Sequence, residues 1–185
     1  IEMLESQVDK LLRCVELFGD VSVLDKALTG ISNERSKSAI ERLHGFQRGL
    51  KEYGLSLDES HIEKCDTWIE ESGKKAFSRL YERHSDITAV FSSSDLLARG
   101  IIQYANEKNI SLPNDLSVIG FDDDSASSFL TPSLTTFRQD SATIAKVASE
   151  LLINAINGKP IQDEFVRIPA DFIIRNSVKD IRNAL

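Results

Sequence analysis

The sequence predicts an α/β protein, a doubly wound parallel sheet with helices on both faces. Two observations carry this. Apolar runs of strand length alternate with amphipathic helical stretches four times along the chain. The two clearest runs, residues 87–91 and 117–121, are rich in β-branched and aromatic side chains and stop abruptly on polar residues. The first stops on Ser92-Ser93-Ser94-Asp95, the second on Asp122-Asp123-Asp124. Open α/β sheets bind their ligands outside the carboxyl ends of such strands.

Taken in order, residues 1–18 place Leu4, Val8, Leu11, Leu12, Val15 and Phe18 on a helical stripe, with Gly19 as its stop. A strand is expected over 21–28, interrupted by Asp25 and Lys26, then a polar loop over 29–36. A helix follows over 38–53, with Ile40, Leu43, Phe46, Leu50 and Tyr53 on one face and Gly54 ending it. A short strand at 62–65 precedes a helix over 71–83 that offers Ala76, Phe77, Leu80 and Tyr81. Strand 87–91 feeds a helix over 95–108 through Ser and Asp N-cap chemistry. Pro113-Asn114-Asp115 breaks the chain before strand 117–121; Thr131-Pro132 turns it into a strand at 134–137. A helix over 141–157 ends at Gly158, and strands at 165–168 and 172–174, divided by Pro169, close the chain.

The composition bounds the function. With 185 residues, 41% hydrophobic and 28% charged, the chain has the make-up of a globular domain with its own core. Lys and Arg number 22 against 29 Asp and Glu, a net charge of −7, which argues against direct nucleic-acid binding. Two cysteines, Cys14 and Cys65, are too few and too far apart for a disulfide framework or a zinc ribbon, and fit a reduced, cytoplasmic chain. No signal peptide or membrane span is legible, and no membrane partner, metal or cofactor is expected. The chain starts at Ile1 within a helical pattern, which reads as part of something longer.

The candidate site residues share a geometry. Ser36, Ser38 and Arg42 follow the first strand, Trp68 the second, Ser94 and Asp95 the third, and Asp122 the fourth. In a right-handed parallel sheet all four exits lie on one edge. Hydroxyls, a guanidinium, carboxylates and an indole suit a small polar ligand, sugar-like or base-like. The plainer readings are that Trp68 is partial core, Arg42 a surface ion-pair residue, Asp95 a dipole partner and the serines caps. For Asp123 and Asp124 the expectation is a solvated loop with an Asx-turn.

The order VIGFDD, TPSLTT, RQD resembles the C-terminal core of LacI/GalR-family bacterial transcription regulators. So do the segment from Phe91 to Gly100, similar to a strand-to-helix turn that usually holds an Asn-Asp pair, and Arg42-Leu-His-Gly-Phe46. The segment Ile168-Pro-Ala-Asp-Phe-Ile-Ile-Arg-Asn-Ser177 is similar to that family's closing strand. The resemblance implies a periplasmic-binding-protein-like fold. Residues 1–138 plus 170–185 would form the C-terminal lobe, and 139–169 a crossover helix and strand of a partial N-terminal lobe. It also implies an effector site holding Ser36, Ser38, Arg42, Ser94 and Asp122, with Trp68 as stacking aromatic and Gln139 at the crossover. Ser94 replaces the usual amide, so effector identity does not carry over. Leu96, Arg99, Phe129 and Leu130 match the family's homodimer interface, and DNA would be reached only through a missing N-terminal helix-turn-helix.

Two other readings compete with this one. A sugar-binding protein of a transporter shares the fold, but LTTFRQD favours the regulator. A Mg²⁺-dependent α/β enzyme could use the three aspartates as oxygen ligands. Against it, no GxxxxGK[ST] loop, GxSxG elbow or HExxH is present, and His44, His61 and His84 are scattered, so an enzyme is not expected.

Overall fold

The computed structural model describes residues 28–32, 37–65, 67–159 and 166–179. The helix expected over 1–18, most of the strand expected at 21–28, and Ser36 lie outside them. Four parallel strands form the sheet: β1 (Leu28–Ser32), β2 (Ile62–Lys64), β3 (Ala89–Ser92) and β4 (Ser117–Ile119), in the order β2-β1-β3-β4. The central pair is registered Gly30 on Phe91 and Ile31 on Ser92, and β3 pairs with β4 through Val90 on Val118. Strand order reverses between β1 and β3. That is the topological switch point, where a crevice opens at the carboxyl edge.

β1 corrects the sequence reading, which placed a loop from residue 29. The segment LTGIS has modest strand propensity of its own. Lying between β2 and β3, it satisfies its backbone on both sides, and that tertiary pairing overrides local preference.

Side-chain alternation explains the two layers. Ala89, Phe91 and Ile119 join Phe46 and Leu50 in one buried cluster, whereas Val90 and Val118 join Phe77, Leu80, Leu97 and Ile101 in the other. Helix α1 (Lys37–Glu52) thus covers one face, and α2 (Glu70–Arg83) with α3 (Asp95–Glu107) covers the other. α1 ends where the sequence placed its stop. Gly54 has φ +75°, Leu55 N–H donates to Leu50 O at 2.9 Å and Gly54 N–H to Lys51 O at 3.0 Å. α3 closes in the same way on Asn109, at φ 57°. α2 and α3 pack almost backbone to backbone. A Cβ on Gly73 would fall onto the Leu97 backbone, and one on Gly100 onto the Glu70 and Lys74 backbone.

Past β4 the chain stays beside the sheet. Ile119 bridges to Thr135 and Asp122 to Arg138, while β5 (Thr136–Arg138) pairs antiparallel with β6 (Asp171–Ile173). Phe121, Phe137 and Phe172 stack in a row with centroids 5.4 and 4.9 Å apart. α4 (Ser141–Ile156) forms as expected and has no buried residue; Leu152 and Ile156 are 61% and 75% exposed. The strand expected at 165–168 is a second correction. Residues 166–168 are irregular and Val166 is exposed, because no strand among the described residues lies beside them to complete a ladder. Among the described residues no helix is long and apolar enough to cross a membrane.

Candidate functional site

The first turns of α1 place Ser38 and Arg42 four residues apart, hence on one face. Ser38 is exposed, whereas the Arg42 side chain is only 14% exposed and lies over the carboxyl edge of the sheet. Its Nη1 donates to Ser93 O at 2.5 Å, and Nη2 stands 3.3 Å from Asp122 Oδ1. The guanidinium lies 3.9 Å from the centroid of the Phe121 ring and 6.0 Å from that of Trp68. Burial lowers the Arg42 pKa, opposed by Asp122 and, further off, Asp95. The side chain keeps its charge regardless.

Asp122 follows β4 through Gly120 and Phe121. It takes φ 125° and Asp123 takes φ 56°, two consecutive residues in a region that side chains rarely adopt. The surroundings hold them there. Asp122 N–H donates to Phe137 O at 2.7 Å, and Gln139 Nε2 donates to Asp122 Oδ1 at 2.6 Å. Burial pushes the Asp122 carboxyl up to about 6; Arg42 pulls it down, Asp95 and Asp124 push it further up, and Gln139 pulls it down. Arg42, Asp122 and Gln139, expected from sequence to share a site, form one connected cluster.

Other expected site residues have different roles. Ser94 is buried and caps α3, accepting from Leu97 N–H at 3.2 Å, so the plain reading of a cap holds. Asp95, offered with it at the β3 exit, is wholly buried. It accepts from Thr136 Oγ1 and Ser127 Oγ, both at 2.5 Å, and from Asp124 N–H at 3.0 Å. It ties α3 to the β4–β5 loop rather than facing a ligand. A Cβ at Gly120 would collide with its carboxylate, which is why glycine stands there. Trp68 is half-buried against the α2–α3 core cluster, with its ring facing the Arg42 guanidinium at 6.0 Å.

The three consecutive carboxylates diverge, which counts against their sharing a Mg²⁺ ion. Asp123, expected in a solvated loop, is instead buried between Arg138 Nε at 2.7 Å and Arg175 Nη2 at 2.6 Å. Burial alone would raise its pKa, and the two arginines outweigh that and lower it. Asp124 forms the expected Asx-type turn, accepting from Ala126 N–H at 2.9 Å and Ser127 N–H at 3.1 Å. No histidine joins the cluster; His61 and His84 stack on each other at 3.9 Å.

At the expected interface, Phe129 is 85% exposed and Leu96 partly so, with Ile69 exposed at the start of α2. Leu130 is half-buried, packed against the α2–α3 core cluster. Arg99 pairs within the chain, 3.1 Å from Glu70 and 3.5 Å from Asp124. Sequence reasoning missed Ser93 and Phe121 as site neighbours. Their signal was position, since each stands next to a residue already chosen.

Residues 25–178 match the family described as periplasmic binding protein-like domain. The chain belongs to this family. Its curated relatives include the HTH-type transcriptional repressor PurR of Histophilus somni, 33% identical over 84% of this chain and 47% of that protein. The HTH-type transcriptional repressor CytR of Escherichia coli is 33% identical over 75% of this chain and 40% of its own length. The chain therefore spans less than half the length of these relatives. Among solved structures, the transcriptional regulator CelR–cellobiose complex superposes with a TM-score of 0.84 at 23% identity, over 96% of this chain and 52% of that one. Transcription regulator CcpA of Lactococcus lactis gives 0.81 at 22%, over 97% and 63%. These neighbours bear out the periplasmic-binding-protein-like α/β fold, and the relatives named are HTH-type transcriptional repressors.

Proposed function

We propose that this chain is the effector-binding and dimerisation core of a LacI-type transcriptional regulator. A small sugar-like or nucleobase-like ligand would sit at the Arg42–Asp122–Gln139 cluster and bias DNA binding by an N-terminal domain. The observation carrying this is that cluster's position. A buried guanidinium, a raised carboxyl and an amide meet at the carboxyl edge of the sheet, where order reverses. The cluster holds no histidine to activate a hydroxyl, so binding is the better reading than catalysis. Residues 1–138 with 170–185 would form one lobe and 139–169 part of a second. The apolar side chains that α4 exposes support that division, since they suit burial against a further layer.

Such a core works by population shift, the ligand favouring one lobe arrangement and the dimer passing it on. The exposed apolar side chains of Leu96, Phe129 and Ile69 support a homodimer contact through this lobe. A regulator of this kind works in the cytoplasm, and the chain itself would touch DNA only through its partner domain. Isothermal calorimetry of the full-length protein against cellobiose, simple sugars, purines and nucleosides tests the reading. Asp122→Ala should weaken the ligand that binds by about 1.5–3 kcal/mol through loss of a charge-assisted hydrogen bond. Unchanged affinity in that variant would remove Asp122 from the site.

A further inference from the structure

We infer that the site selects an uncharged ligand bearing hydroxyl or N–H donors and excludes phosphorylated and carboxylated ones, with the Ser93 hydroxyl as an added contact. This rests on the effector reading above. Arg42 Nη1 serves Ser93 O and Nη2 faces Asp122, so the one guanidinium of the cluster is held by acceptors from its own chain. The neighbouring guanidiniums among the described residues are ion-paired as well: Arg138 and Arg175 grip Asp123, and Arg99 lies between Glu70 and Asp124, although its Nε makes no aligned hydrogen bond. Binding a phosphate needs donors aimed at its oxygens. Here it would have to part Arg42 from Asp122 and then sit beside that carboxylate, with Asp95 and Asp124 behind it.

The opposing influence is the N-terminus of α1, which follows β1 at this edge and brings about half an elementary positive charge. Arg42 and Asp122 balance each other, and the half charge that remains stands against Asp95 and Asp124, both of which act on this site as negative charges. The atoms without protein partners point the other way. Gln139 and Arg42 both meet Oδ1 of Asp122, which leaves Oδ2 as an acceptor for a ligand donor. Ser93 Oγ is buried with no protein hydrogen-bond partner, although the carbonyl of the same residue holds Arg42. A buried unpaired hydroxyl is costly in a finished fold, and at a ligand site it is what a ligand hydroxyl or carbonyl would satisfy.

The test uses the full-length protein and two sets of probes. Inorganic phosphate is titrated into wild type, Asp122→Asn, Asp122→Ala and Asp122→Asn/Arg42→Ala by calorimetry and thermal shift. Sugars and nucleosides are then compared with their own phosphate esters. Wild type should show no saturable phosphate binding. Either Asp122 variant should acquire it, and the double variant should lose it again. Within any pair that binds, the neutral member should be at least about tenfold tighter, and Ser93→Ala should weaken it by about tenfold. Arg42-dependent binding of phosphate or a phosphate ester by wild type would overturn the inference while leaving the effector reading intact. No gain in either Asp122 variant, with both folded by circular dichroism, would overturn it too. If no neutral ligand binds wild type, that counts against the effector reading, and the phosphate titrations then judge the exclusion of anions by themselves.

Discussion

Replacing Asp122 by Asn should remove a specific component of the pH dependence of folding. The folded carboxyl titrates at about 6 against an ordinary 3.8, raised chiefly by burial and held back by Arg42. A carboxyl with a raised folded pKa binds its proton more tightly folded than unfolded. Its contribution to stability is therefore fullest below pH 3.8 and is lost as pH rises through about 6. At about 1.36 kcal/mol per tenfold the whole difference would be about 3 kcal/mol. The side chain is 35% exposed, and solvent screening cuts this to about 1–2 kcal/mol. Asn keeps the shape, tolerates positive φ and still accepts from Gln139, so the comparison isolates the titration. Urea denaturation of both proteins from about pH 4 to about pH 7.5 supplies the measurement, and the readout is the difference in slope. Wild type should lose about 1–2 kcal/mol more than the variant across that range. In an Arg42→Ala background the window should move to higher pH, because the opposing cation is gone. Parallel curves for wild type and Asp122→Asn would refute the reasoning. They would mean that water reaches the carboxylate more freely than its surroundings indicate.

Other outcomes follow from the same structure. Gly100→Ala drives a methyl into the Glu70 and Lys74 backbone and should destabilise the fold by about 2–3 kcal/mol in chemical denaturation; a neutral result would mean α2 and α3 can part freely. Asp95→Ala leaves Thr136 Oγ1, Ser127 Oγ and Asp124 N–H without their acceptor, which should cost at least about 3 kcal/mol, while Asp95→Asn should cost less. Thermal unfolding distinguishes these, and equal losses would contradict the hydrogen-bond account. Phe129→Asp should give monomers in sedimentation velocity if the 85% exposed ring is the dimer contact. Dimers persisting in that variant would place the contact elsewhere.

The layered fold was legible because burial leaves a periodic trace. Residues 87–91 and 117–121 are apolar runs because both faces of β3 and β4 are covered, and Gly54 marked the end of α1 because the closing hydrogen bonds require its φ. β1 occupies residues 28–32, where a loop was expected from residue 29. Its strand character comes from two neighbours in the sheet, which no local window contains. The strand expected at 165–168 did not form over 166–168 for the converse reason, an apolar pattern with no ladder beside it among the described residues.

The aspartates mark where legibility stopped within the site. Asp95, Asp122, Asp123 and Asp124 all follow apolar strands and look alike in sequence, yet each has a separate role set by partners far along the chain. Asp95 is fixed by Thr136, 41 residues on, and Asp123 by Arg175, 52 residues on. Asp122 differs because its backbone, at φ 125°, turns it out of the hydrogen-bonded loop toward Arg42 and Gln139. Sequence order placed these carboxylates on one edge of the sheet. Once the long-range partners are in place it is Asp122 that keeps an acceptor oxygen, Oδ2, and the proposed ligand role rests on that.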